Sequence, residues 1–543
     1  MKPMNTHPHS LNPRLSRNFF GFILVMVAIL WCYSLFFIPT FDLDESLYRR
    51  VAEEMKRSGE WWKPTWDQWP LYHKPPIFYW MIALVSGVVD GVQAPVSIFA
   101  ARLPSLLASI GILYSLYRFT RNFFAPALFL SAIFPLLTAT GVILDPIQTL
   151  TLMPTLLIPT GAFLEKREMT FEELLYVGLG MFIASAFKGL NGLVLPAAAF
   201  GLHWLLFARG MTFKNWVRPA WRYALIAFLP AVFLTLLYYL VLDSTMGRAF
   251  TKEFFLVHHL GRSQGAMESH GGNPTYHFWV IFFGGGFLTT YLIYQWMRVR
   301  PNFKQYCFPA TYTLTFLLIF SFSATKLPHY TWPVWPAMAL MGAILFELSD
   351  RKHDREVNRM VGILASFPVF AIGAFALLAV FTPTLILNNL ELSEAAKIIV
   401  TRISVISFFC RISLVACAVL CIIFQGKRLY LTRHPILTST FAVAVSFTLS
   451  FGIMPTAIDL LVTPIQQIAA SLMARHPPNG SCIRYGGPNS PNLSIAMGMN
   501  VLHNRCEPPN ALYLIVPKWK AHECDDLQMK VLDEKSYLLL CGK

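Results

Sequence analysis

The stretch "IFYWMIALVSGVV" (residues 77–89), held between Lys74-Pro75-Pro76 and Asp90, is the one on which the architecture turns. If it crosses a membrane, every later loop changes sides. Its 13 residues, as a helix, rise about 20 Å, short of the roughly 30 Å of hydrocarbon in a bilayer. It is therefore predicted to lie in the interface without spanning.

Composition supports a membrane setting. The chain has 543 residues, 55% hydrophobic and only 13% charged, against roughly 25% charged in soluble domains. A soluble enzyme is excluded. Uncharged runs of about 18 residues or more read as spans. Candidate spans fall at 19–38, 103–118, 123–144, 146–164, 171–187, 190–208, 223–242, 277–297, 305–324, 331–348, 360–385, 405–425 and 436–458. With 77–89 kept out of that set, one group of loops collects Arg118, Arg121, Arg209, Lys214, Arg298, Lys304, Arg351 and Lys427, among others, and the opposite group holds less than half as many. Positive loops stay in the cytoplasm, which places this group and the N-terminus inside. Thirteen spans, an odd number, then leave the C-terminus outside. The first run is flanked by Lys2, Arg14 and Arg17 without a small-residue cleavage site, so it reads as a permanent anchor. The net charge of +15 forms no basic face or stripe, which removes nucleic acid as a partner.

Cysteine placement gives an independent check on sides. Cys32, Cys307, Cys410, Cys417 and Cys421 lie in or beside apolar runs and read as small buried hydrophobes. Cys482, Cys506, Cys524 and Cys541 all fall in the polar tail, as two disulfides in an exported segment with three pairings open. Zinc is the competing reading, although no Cys-x-x-Cys pair exists. "ALYLIVP" (511–517) and "SYLLLCG" (536–542) look like buried strands. The chain is thus expected to divide into an all-α polytopic membrane domain, 1–458, with its first outer loop at 40–102, and a small α/β domain, 459–543.

With sides fixed, the ionisable residues gather. Asp42, Asp44, Glu45, Lys74, Asp145, Lys188, His258, His259, Arg262, Lys326 and His329 all sit at or near outer span ends. Charges bordering hydrocarbon pair, line a wet cavity or bind something charged. Each has a plainer alternative: Asp44 as a helix N-cap, Lys74 as a snorkelling lysine, the two adjacent histidines as loop residues. Trp61, Trp62, Trp66 and Trp69 fit an interfacial aromatic belt. Glu53, Glu54, Lys56 and Arg57 are expected on the solvated face of an amphipathic helix. Lys188 is followed by Gly189, which permits close approach of a ligand or backbone, and Arg262 stands in the glycine-flanked "HHLGRSQG". Acids among several cations at one membrane face suit chemistry on an anionic lipid. Cations stabilise a departing phosphate, and a carboxylate takes a proton from an incoming hydroxyl. Nucleotide sugars are not available outside the cytoplasmic membrane, so the donor expected there is a sugar on a lipid phosphate.

Seven motifs carry a resemblance over roughly residues 19 to 347. They are "DESLYRRVAEEMKRSGEWWKP" (44–64), "YHKPPIFYWMIAL" (72–84), "AARLPSLLASIGILYSLYRFTRNFF" (100–124), "LDPIQTLTL" (144–152), "KGLNGLVLP" (188–196), "FFLVHHLGRSQGAMESHGGNPTYHFWVIFFGGGF" (254–287) and "SATKLPHYTWPVWPAMAL" (323–340). In this order they resemble the GT-C membrane glycosyltransferases, most closely the branch of lipid A aminoarabinose transferases and bacterial relatives of protein O-mannosyltransferases. The resemblance implies about thirteen transmembrane helices and a periplasmic C-terminal α/β domain, in a bacterial inner membrane. It implies inverting transfer of a sugar from a polyprenyl (undecaprenyl) phosphate donor to lipid A, another envelope glycan or a protein. Asp44 and Glu45 are the implied catalytic carboxylates, with Lys74, Lys188, Arg262 and Lys326 at the donor phosphate. Asp145, His258, His259 and His329 are implied to shape the cavity. No cofactor is assigned, and a divalent cation stays open. The family's arginine three residues beyond the aspartate is Leu47 here, and the usual acid before the motif lysine is His73. Within this class the alternative is a protein O-glycosyltransferase. Outside it, a flippase for an anionic lipid would also want a basic cavity, but transporters often show internal repeats and broken mid-membrane helices, whereas no repeat is apparent here and the polar residues cluster at one face.

Overall fold

The computed structural model of the protein describes residues 13–38, 43–67, 69–207, 213–254, 257, 272–299, 307–351, 366–381, 408–431, 435–461, 463–475, 483–485, 513–517, 524–525, 528–535 and 538–542. The chain is mostly helical. Helix α1 (Pro13–Phe37) exposes Phe22, Val25, Ile29 and Phe36 while burying Ile23, Val27, Leu30 and Trp31. Apolar on every side, it is suited to stand between lipid and protein. Helix α2 (Leu43–Ser58) is the opposite kind, with Asp44 and Glu45 in its first turn and Lys56 and Arg57 in its last, an arrangement that complements the helix dipole. A short hairpin, β1 (Thr65–Trp66) and β2 (Trp69–Pro70), separates it from α3 (Ile77–Val89).

Leu47, Val51, Ala52 and Met55 of α2 pack on Phe78, Tyr79, Ile82 and Ala83 of α3. Burial of side chains this size contributes on the order of 1.5–3 kcal/mol each. The expected solvated face of α2 is not solvated. Glu53 and Lys56 are buried, as is Arg50 between them. The hairpin folds back over this face: Thr65 Oγ1 and the Asp67 amide donate to Glu54 at 2.7 Å each, and Arg50 pairs with Glu53 at 2.8 Å and Asp67 at 3.3 Å. Lys56 Nζ donates to Ser86 Oγ and the Gly91 carbonyl of α3's end. Only Arg57 keeps substantial exposure. Of the four belt tryptophans, Trp62 and Trp69 are exposed, while Trp61 and Trp66 pack against the α2–α3 core.

Helix α4 (Ile98–Thr120) starts where Ser97 accepts the Ala100 amide and ends on left-handed Arg121. The span expected at 123–144 is instead two short helices, α5 (Phe124–Leu130) and α6 (Ile133–Thr138). Extended backbone at Ala132 breaks the rod, and Pro135 has no amide to continue it. Helices α7 (Asp145–Leu164), α8 (Phe171–Lys188) and α9 (Asn191–Phe207) follow. Thr170 and Glu173 form a capping box at the start of α8. A Cβ on Gly192 would stand 2.3 Å from the Ser185 amide, so only glycine lets α9 cross α8 there. Helix α10 (Phe213–Arg222) runs through a π-helical stretch, Tyr223–Phe228, into α11 (Leu229–Thr245). The span expected at 277–297 is bent by 90° into α12 (Tyr276–Gly285) and α13 (Phe287–Val299). The corner is Gly286, whose φ of 39° other residues rarely adopt. Helix α14 (Cys307–Phe322), a 3₁₀ turn Pro328–Thr331, α15 (Val334–Arg351), α16 (Phe367–Phe381), α17 (Phe408–Leu431) and α18 (Pro435–Leu461) complete the bundle.

Among the described residues, five helices are long and apolar enough to cross a membrane, six if the bent pair counts as one span. Shorter apolar helices occupy several other expected spans, among them Asn191–Leu206 and Phe308–Phe322. The stretch 77–89 is a short helix, as its length requires.

After α18, helix α19 (Thr463–Met473) packs Ile465, Ile468 and Leu472 on a four-stranded sheet in the order β3 (Ile483–Tyr485), β4 (Tyr513–Pro517), β6 (Leu538–Gly542), β5 (Lys530–Lys535). The β3–β4 pair is parallel and the others antiparallel. Both strands read from the sequence are present. Cys524 and Cys541 are joined by a disulfide, while Cys482 and Cys506 lie outside the described residues.

Candidate active site

Helix ends build the site. Asp145 opens α7 and Lys188 closes α8, so each complements the dipole of its own helix. The two side chains meet as a salt bridge, at 3% and 8% exposure. The Lys188 ammonium also lies 4.9 Å from the ring centroid of Tyr330, a cation–π contact. Tyr330 stands on the 3₁₀ turn beside His329.

From the other side comes α2. Asp44 and Tyr48 are one turn apart and share a face. Lys74 Nζ donates to Tyr48 Oη at 2.8 Å and sits 5.4 Å from that ring. Lys74 lies in the bend ahead of Pro75-Pro76 and α3. His329 lies within electrostatic reach of Asp145, Lys188, Asp44 and Lys74, residues of four separate motifs. The Tyr79 phenol feels Asp44 as well. The residue before Lys74, His73, reaches Glu253 at 3.5 Å.

Two expected members have other partners. The Glu45 carboxylate, 5% exposed, pairs with Arg102 at 3.1 Å and accepts the Val142 amide at 2.8 Å. The Lys326 ammonium donates to the carbonyls of Phe320, Ser321 and Ser323, capping the end of α14. Its three protons are all used there, and burial pushes its pKa below the ordinary lysine value. Arg262, His258 and His259 lie outside the described residues.

Both arginines near Leu47 are engaged elsewhere. Arg49 Nε donates to the Val96 carbonyl, and Arg50 is held in the network under the hairpin. Among the described residues, no group of three or more His, Cys, Asp or Glu side chains is disposed to hold a metal ion. Tyr48, Tyr330 and Arg102 were not singled out in the sequence. A signal existed for two of them: Tyr48 falls one turn after Asp44, and Arg102 is a lone charge in an apolar run.

No family model matches the chain. The helical arrangement nevertheless has a counterpart among solved structures. Over 97% of this chain and 98% of the other, it superposes on ArnT from Cupriavidus metallidurans bound to undecaprenyl phosphate, with a TM-score of 0.72 at 16% identity. The apo form of that protein gives 0.71 at 15% identity, with the same coverage. In sequence the chain is similar to undecaprenyl phosphate-alpha-4-amino-4-deoxy-L-arabinose arabinosyl transferase 1 of Proteus mirabilis, 28% identical over 64% of this chain and 62% of that one. The protein of the same name from Sodalis glossinidius is 27% identical over 62% and 60%. The chain thus spans about three-fifths of the length of these relatives. The resemblance read from the seven motifs is borne out.

Proposed function

We propose that the protein is an integral membrane glycosyltransferase that moves a sugar from a polyprenyl phosphate to lipid A or another envelope acceptor. The reading places it in a bacterial inner membrane, with the N-terminus cytoplasmic and the 459–543 segment a periplasmic domain. One observation carries it: the buried Lys188–Asp145 pair joins the ends of α8 and α7, with the Lys188 ammonium against Tyr330. Asp44 and Lys74, from the α2 side, lie within electrostatic reach of the neighbouring His329.

In this reading the acceptor oxygen attacks the anomeric carbon from the face opposite the lipid phosphate. The bond from that carbon to the phosphate oxygen breaks, the electron pair leaves with the phosphate, and configuration inverts. Lys74 and Lys188 stabilise the charge that develops on the departing oxygen. Where the acceptor is a hydroxyl, its proton passes to Asp44. Where the acceptor is a phosphate, already ionised near neutral pH, Asp44 orients groups instead.

Asp44→Asn tests the assignment in membranes given a radiolabelled polyprenyl-phosphate sugar. Removal of a general base is expected to lower transfer about 10²–10⁴-fold. Transfer at the wild-type rate would remove Asp44 from the reaction centre. Mass spectrometry of lipid A and envelope glycans, from cells with and without the gene, identifies the acceptor. Lipid translocation without transfer in reconstituted vesicles would overturn the enzyme reading.

A further inference from the structure

We propose that Arg102 is a positioning residue for Asp44, acting through Glu45, and that it belongs to a polar stripe on α4 that sets both Asp44 and Asp145. The inference rests on the reading of Asp44 as the reaction-centre carboxylate.

Arg102 is 2% exposed, and its guanidinium is used on two sides. One terminal nitrogen donates to the carbonyls of Ser34 at 2.6 Å and Ile38 at 2.5 Å. Carbonyls in the last turn of a helix lack helical partners, so the arginine caps α1 from a neighbouring helix. Its other two nitrogens donate to both oxygens of Glu45, at 3.1–3.4 Å. Glu45 Oε1 also takes the Val142 amide. One side chain thereby fastens the end of α1, the first turn of α2 and the loop ahead of α7.

Asp44 is the neighbour of Glu45 on α2, about 100° around the helix. Fixing both Glu45 oxygens fixes the roll of that turn, and with it the direction in which Asp44 leaves the helix. The stripe continues along the same face of α4, where Ser105 Oγ donates to the Ile143 carbonyl at 2.7 Å and Ser109 Oγ to the Ala139 carbonyl at 3.2 Å. That loop runs directly into Asp145. Three side chains at helical spacing thus hold the backbone leading into one acid and, through Glu45, the helix turn bearing the other. A guanidinium fork supports this geometry in a way that a point charge does not.

The test compares Asp44→Asn, Arg102→Met, Arg102→Lys and Asp44→Asn/Arg102→Met, using steady-state and single-turnover transfer from a labelled polyprenyl-phosphate sugar. Thermal melting in detergent reports folding. Misplacement of a reacting group by 1 Å lowers rate about 10²-fold. Arg102→Met is therefore expected to lose about 10²-fold in kcat with donor KM within about threefold. Arg102→Lys should recover part of this by keeping a cation on Glu45. In the Asp44→Asn background, Arg102→Met should remove less than about threefold more, because residues acting as a unit are not additive. Wild-type kcat in folded Arg102→Met, or losses that multiply in the double variant, would overturn the inference while leaving Asp44 in place. Wild-type transfer by Asp44→Asn would remove the Asp44 reading itself. If Arg102→Met does not fold, Glu45→Gln, of the same shape, is judged by the same criteria.

Discussion

Lys188 and Asp145 neutralise each other with little help from water, so neither tolerates loss of its partner. Removing one member of a buried pair costs about 3–5 kcal/mol because the survivor is left uncompensated. Lys188→Met is therefore expected to melt well below the wild type in detergent, and Lys188→Met/Asp145→Leu to regain most of the loss. A double variant no more stable than Lys188→Met would show that the pair is not what holds α7 and α8 together there. Such roles were only partly legible in the sequence. Lys188 and Asp145 meet because each stands at a helix end, a position that charge placement and the motifs pointed to. Glu45 and Lys326 were read as direct participants, yet both are bonded into the scaffold. Adjacent acids on a helix diverge by about 100°, and no spacing rule says which of them meets the substrate. A lysine that folds back onto helix-end carbonyls resembles, in sequence, one that points outward.

At the scale of the element, α2 shows where periodicity misleads. Its alternation of apolar and charged faces is real, but the hairpin covers the charged face, and a cover made of distant residues leaves no trace in the pattern of the helix itself. The end of α3 carries a titratable link in this assembly. Ser86 Oγ and the Ser97 amide donate to Asp90 at 2.6 and 2.9 Å. Burial alone would raise the Asp90 carboxyl, but these hydrogen bonds and the Lys56 charge bring it below its ordinary value of 3.8. A depressed carboxylate contributes stability above its unfolded pKa and loses it as pH falls through the folded value. Backbone amides at 97–101 are therefore expected to exchange faster at pH 3 than at pH 6 after correction for intrinsic rates. Asp90→Asn at pH 6 should resemble the acid state. Equal protection in all three conditions would dismiss the link. The breaks within the expected spans at 123–144 and 277–297 were also missed, although "GGG" at 284–286 was in plain view. Hydropathy records how much apolar length exists and is blind to where a helix turns.

Over the whole molecule, residues 77–89 decide how the later loops are arranged, and they form a short helix. The tail was less legible. Two of its strands were read correctly, but the parallel pairing of β3 with β4 depends on chain far apart in sequence. Cysteine spacing left the pairing open, and the Cys524–Cys541 bridge settles one bond. Closing a loop of 17 residues stabilises by about 3 kcal/mol in the chain-entropy account. Cys541→Ser is expected to make the β5–β6 hairpin sensitive to trypsin, and an unreduced digest of the wild type should contain the linked peptide. Free thiols at both positions in exported protein would contradict this. The clamp at Arg102 also bears on how the chain is made. Glu45 and the last carbonyls of α1 emerge during synthesis well before the arginine that satisfies them, 57 to 68 residues later. Until then that carboxylate has no guanidinium to pair with. The first helix is therefore not a finished unit when it is inserted, and α4 must arrive before the amino-terminal part of the protein acquires its final order.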